Sequence, residues 1–99
     1  MSKLNNLLIS IISGVFKRKE ALPLHALLWT IDAQFHQIPT IEDINNALIK
    51  CMPFKIIRNE SEVILIQDNK SKIDKITESD LTISIAKYNS MIDLKDYKK

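Results

Sequence analysis

Apolar residues recur along this chain with a spacing that changes after its midpoint. Near the start, Leu4, Leu7, Leu8, Ile11 and Val15 fall at i, i+3, i+4, i+7 and i+11, the pattern of one helix face. Ser2 can cap that helix. Ile9, Ile12 and Phe16 widen its apolar arc to roughly 200° at 100° per residue. One core needs a stripe of only about 100°, so the excess predicts a cover from another layer or another chain. A second helix is predicted from Pro23, a favoured first-turn residue. Its stripe is Leu24, Leu27, Leu28, Ile31 and Phe35. It should end near Gln37, because Pro39 disfavours a helical Ile38. Thr40-Ile41-Glu42-Asp43 reads as an N-cap with an acidic N3 residue, a capping-box variant. The third helix it opens has Ile44, Ala47, Leu48 and Cys51 inward, and Pro53 stops it.

Beyond Pro53 the period shortens. Phe54 to Arg58 and Val63 to Gln67 are β-rich runs around Asn59-Glu60-Ser61-Glu62, the signature of a β-hairpin with a polar tip. Val63-Ile64-Leu65-Ile66 is apolar on both faces, so its second face is expected to be covered. Asp68 to Ser71 reads as a turn, and Ile73 and Ile76 as a short helix. Thr77-Glu78-Ser79-Asp80 is a further cap-like start. Leu81, Ile85, Tyr88 and Ile92 then repeat helically. Leu81, Ile83 and Ile85 also alternate with Thr82 and Ser84 as a strand would, but the helical period persists to Ile92 and favours helix.

Composition narrows the class. At 99 residues, 45% hydrophobic and 26% charged, the chain is one domain with its own core. Its net charge is +2 and its pI is near 8.7, under the value of about 9 usual for nucleic-acid domains. Arg18 and Arg58 are its only arginines. One cysteine, Cys51, excludes an intrachain disulfide and a Cys-based zinc site. One glycine, Gly14, excludes a Gly-rich phosphate loop. Leu7 to Phe16 is shorter than the roughly 20 residues that span a bilayer. Lys17-Arg18-Lys19 follows it where a signal peptide has small residues. The expectation is a cytoplasmic protein with no membrane segment, cofactor, metal or small-molecule substrate.

Helix, helix, a short turn with Ile38-Pro39-Thr40, helix and hairpin is an order that resembles a winged helix-turn-helix domain. The resemblance covers residues 2–67 of a single domain, 1–99. A C-terminal helical appendage (about 68–94) and a frayed tail (95–99) complete it. Trp29-x-x-Asp32, His36-x-Ile38-Pro39-Thr40, Glu42 and Asn46-Ala47-Leu48 are similar to stretches of small uncharacterised bacterial winged-helix proteins. The expected fold is therefore α+β, a winged helix with three N-terminal helices, a β-hairpin wing and a C-terminal helix. The resemblance implies a third helix that reads the DNA major groove and a wing that touches the backbone. Some members of this broad fold bind proteins instead.

The residues themselves lean toward a protein partner. The outward face of the third helix is Glu42, Asn46 and Ile49, flanked by Asp43, Asn45 and Lys50. Asn45 and Asn46 suit adenine edges. Glu42 and Asp43, however, sit at the end where base contacts are made, against a duplex carrying one negative charge per about 1.7 Å. In the wing, Arg58 and Asn59 are set against Glu60 and Glu62. We therefore expect non-catalytic recognition of a protein, such as a toxin held by an immunity- or antitoxin-like inhibitor, with a DNA-binding regulator as the alternative. His25, Trp29, Asp32 and His36 form a row along the second helix. Asp32 beside His36 could orient a base or bind a metal. Packing of a half-buried Trp is the plainer reading, and a partner-binding edge is the next. Cys51 reads as a buried thiol rather than a nucleophile, and Lys17-Arg18-Lys19 as a solvated helix end. Ile9, Ile12 and Phe16 are candidates for a homodimer face through the first helix. Cover by the C-terminal helix is the competing expectation.

Overall fold

The computed structural model describes residues 3–51, 53–70 and 74–97, with side chains up to Ile92. It shows an α+β fold in the order α1 (Lys3–Lys17), β1 (Ala21–Pro23), α2 (Leu24–Phe35), α3 (Ile41–Ile49), β2 (Phe54–Arg58), β3 (Val63–Gln67) and α4 (Glu78–Tyr97). The strands form one antiparallel sheet, ordered β1-β3-β2.

Local chemistry sets the element boundaries. α1 ends in a paired-hydrogen-bond cap: Lys19 N–H donates to the Phe16 carbonyl (3.0 Å) and Glu20 N–H to that of Val15 (3.2 Å). Lys19 stands in the left-handed region there, at φ 57°. Pro23 is the last residue of β1 and the extended N-cap of α2, rather than a residue of its first turn. Lacking an N–H, it suits an edge strand. α2 stops at Phe35, with His36 left-handed at φ 55°. The capping box at α3 forms as expected: Thr40 Oγ1 accepts from Asp43 N–H (3.1 Å) and Asp43 accepts from Thr40 N–H (3.2 Å). Thr77 and Asp80 repeat the device at α4. Helix is thus the outcome for 81–92, and residues 74–77 before it are irregular. The tail expected to fray at 95–99 is instead helical through Tyr97, since α4 continues to that residue; the expectations for Ser2, Ile73 and residues 98–99 fall outside the described residues.

The core corrects the reading of α1. Its fully buried line is Leu8, Ile12 and Phe16, whereas Leu4, Leu7, Ile11 and Val15 pack as a half-buried flank. α2, α3 and β1 all pack on α1, so several elements of this chain share its wide arc. Phe16 stacks on Phe54 at 6.2 Å. The homodimer face expected at Ile9, Ile12 and Phe16 is therefore not available: Ile12 and Phe16 lie in the core, and Ile9 is half-buried against it. α4, the competing cover, packs on α2 and β3.

Register assigns the sheet faces. Leu22 and Ile56 lie opposite Leu65, so these share the inner face with buried Val63 and Phe54. Pro23 and Ile57 flank Ile64, and Ala21 and Lys55 flank Ile66, on the outer face. Ile64 and Ile66 stay half-buried there, and Ile57 is exposed. Among the described residues no helix is long and apolar enough to cross a membrane.

Candidate functional site

α3 buries Ile44, Ala47 and Leu48. That burial turns Glu42, Asn46 and Ile49 outward, as their spacing predicts, with Lys50 exposed at the C-cap. Ile49 is 73% exposed, the most open of the large apolar side chains among the described residues. Asn45 departs from the expectation. Its amide Nδ2 donates to the Ile76 carbonyl (3.0 Å), and its Oδ1 accepts from Ile76 N–H (2.8 Å). That two-bond clamp pins the segment before α4 to α3, and it takes Asn45 out of any contact face.

The β2–β3 hairpin also departs from expectation. Asn59 organises the tip through its side-chain oxygen, which accepts from Ser61 N–H (2.9 Å), Ser61 Oγ (3.1 Å) and Glu62 N–H (2.9 Å), an Asx-type turn. Glu60 is exposed. Arg58 does not project toward a ligand. It forms a fork on Asp80 of α4, Nε to Oδ1 at 2.8 Å and Nη2 to Oδ2 at 3.0 Å, with Asp74 at 3.7 Å. Asp80 is 2% exposed. Burial pushes its carboxyl up, but the hydrogen bonds from Arg58 and Thr77 outweigh this and hold it below its ordinary 3.8. The same hydrogen bond raises the Arg58 guanidinium above its usual value. Asp80 was not among the sequence candidates. Its one-dimensional signal is the Thr77 capping pair, which says nothing of Arg58.

The α2 row divides. His25 is buried, at 9% exposure, and its Nδ1 has no hydrogen-bond partner. Burial lowers its pKa from 6.5; Glu62 opposes the shift and Lys87 adds to it. Trp29 is 43% exposed and lies against the ring of Tyr88 at 6.5 Å. Asp32, half-buried, accepts a 2.6 Å hydrogen bond from the Tyr88 hydroxyl. That bond, with burial, raises the Tyr88 phenol above 10.0. His36 is an exposed helix cap. Trp29 and Asp32 thus form a seam between α2 and α4, in which Asp32 is engaged by Tyr88. Tyr88, a member of the helical repeat that begins at Leu81, is the centre of that seam. Cys51 is half-buried: its thiol donates to the Ala47 carbonyl (3.2 Å) and lies 3.4 Å from Ser13 Oγ. Arg18 pairs with Glu20 (3.1 Å) at the exposed end of α1.

Compared with protein-family models, with curated proteins and with solved structures, the chain gives no match.

Proposed function

We propose that this chain is a cytoplasmic winged-helix module that recognises a protein partner and catalyses no reaction, the partner being of the toxin kind held by immunity- or antitoxin-like inhibitors. The order α1-β1-α2-α3-β2-β3 with strands ordered β1-β3-β2 supports the winged-helix reading, with α3 in the position of the recognition helix and β2–β3 as the wing.

The observation that carries the choice of partner is the inward turn of Arg58 onto Asp80. A wing that touches phosphates needs cations at its tip, and this one offers Glu60 and Glu62 beyond an arginine already committed. The α3 face adds Glu42 at its N-terminal end and Ile49 as an exposed apolar point. An exposed apolar side chain ringed by polar groups suits a protein contact.

Two measurements made side by side test the reading. Random duplex DNA should bind more weakly than the usual non-specific range of about 10⁻⁴–10⁻⁶ M at physiological salt. A partner captured from the source cell should bind the Ile49→Asp variant more weakly by roughly 1–3 kcal/mol, with the variant still folded. Micromolar DNA binding with a steep salt slope would overturn the protein-partner reading and favour a DNA-binding regulator of the same fold.

A further inference from the structure

α4 is seated differently from the other helices. Among its described side chains the buried ones are Asp80, Ser84 and Tyr88, while Leu81, Ile83 and Ile85 reach the core only half-buried. Two of its fixings are polar: Asp80 on Arg58, and Tyr88 on Asp32. The fully buried aliphatic residues of the core come from α1 through β3, joined by Ile76 before α4.

His25 lies one turn before Trp29 on the face of α2 that carries this seam. Its ring is buried, and its Nδ1 is enclosed with no acceptor or donor in reach. An imidazolium donates from both nitrogens, so protonation would place a charge and an unpaired N–H in this enclosure. The charged groups acting on it are Glu62, just before β3, and Lys87 on α4. Glu62 favours the cation and Lys87 opposes it. Asp32 on α2 and Asp80 on α4 are engaged by Tyr88 and Arg58. Trp29 and Asp32, the next residues of that face, are the ones that Tyr88 of α4 contacts.

We propose that α4 is a pH-released strap: neutral His25 lets it seat on α2, and protonated His25 frees it while the body from α1 to β3 stays folded. The sign follows from linkage. Burial holds the seated imidazole below 6.5. Seating is therefore complete above that value and weakens as pH falls below it. The ceiling is about thirtyfold at pH 5, reached if the seated form takes up no proton. Aspartates of ordinary pKa, about 3.9, titrate below this window. His36, the one other histidine, caps α2 in the open.

The experiment is amide hydrogen exchange on the full chain between pH 7.5 and 5.0, corrected for intrinsic rates, with fluorescence of the single tryptophan, Trp29, followed in parallel. α4 amides over 81–92 should lose protection, by up to about thirtyfold at pH 5, while β3 amides keep theirs. Trp29 emission should change over the same range. His36→Gln should leave this behaviour intact and His25→Gln should abolish it. In the His36→Gln protein the remaining imidazole resonance must titrate together with α4 exposure, which tests the idea even if His25→Gln fails to fold. Loss of α4 and β3 protection together, no loss at all, or loss that persists in folded His25→Gln would each overturn the proposal.

Discussion

Arg58→Met should destabilise the protein far more than Asp80→Asn, although both remove the same ion pair. The asymmetry follows from burial: the Arg58 side chain is 41% exposed and that of Asp80 only 2%. With Met at 58, the carboxylate keeps the Thr77 amide as a partner (3.0 Å) but loses its counter-charge. An uncompensated buried charge costs about 3–5 kcal/mol, and we expect the low end because the carboxyl can escape by taking a proton. With Asn at 80, the Thr77 cap survives and the guanidinium turns into water. The loss is then two charge-assisted hydrogen bonds discounted for the exposure of Arg58, about 1 kcal/mol. Urea unfolding followed by circular dichroism at pH 7 reads both. At a slope of about 1 kcal/mol per molar, the midpoint should fall by about 3 M and about 1 M respectively. The pH dependence gives a second check. In the wild type the Asp80 carboxyl is held below 3.8, so its contribution is present above that value and lost as pH falls through the folded one. In Arg58→Met, only the Thr77 hydrogen bonds still oppose burial, so the carboxyl rises relative to the wild type and the penalty is present at high pH and relieved as pH falls. The gap between the two proteins should therefore narrow from pH 7 to pH 4. Equal losses, a worse Asp80→Asn, or a gap that widens in acid would refute this account.

Two further substitutions probe the rest of the fold. Lys19→Gly removes a side chain from a left-handed position (φ 57°), and should raise stability by about 0.5–1 kcal/mol, read as a higher thermal midpoint. Ile12→Ala deletes a fully buried side chain and should cost about 2–5 kcal/mol independently of protein concentration. A loss that varied with concentration would restore the homodimer face on α1.

Much of the framework was legible because it is written in short-range chemistry. Thr40 and Asp43 announce α3, and the runs on either side of Asn59 announce β2 and β3. β1 went unseen: a three-residue edge strand ending in Pro23 carries no period of its own and exists by pairing with β3. On α1 the apolar residues define an arc wider than any one neighbour covers. Spacing gives the width of that arc but not which line within it faces the centre, and three packing partners placed the line on Ile12. On α4 the stripe of Leu81, Ile85, Tyr88 and Ile92 was legible as helix but not as orientation. The side chains that turn fully inward include Asp80, whose partner Arg58 is distant in sequence, and Ser84, whose hydroxyl donates to the Asp80 carbonyl one turn back. Asn45 and Arg58 were misassigned for the same reason: a polar side chain on an element's edge looks free until its tertiary acceptor is known. Glu42, Asn46 and Ile49 face outward as their spacing predicts, since outward position follows from what α3 buries.

The central place of β3 also sets an order of assembly. It is the last strand in the chain, yet both other strands pair only with it. Until it is made, β1 has no partner and β2 is half of a hairpin, so a growing chain can collapse its helices but cannot close its sheet. The hairpin joins β2 to β3 across a short tip, whereas Ala21 must find Ile66 across nearly half of the chain. Closing that longer loop costs about 2 kcal/mol more in chain entropy. Hairpin first and β1 last is the order this favours, with β1 as the late stitch that ties the helical half of the molecule to the hairpin.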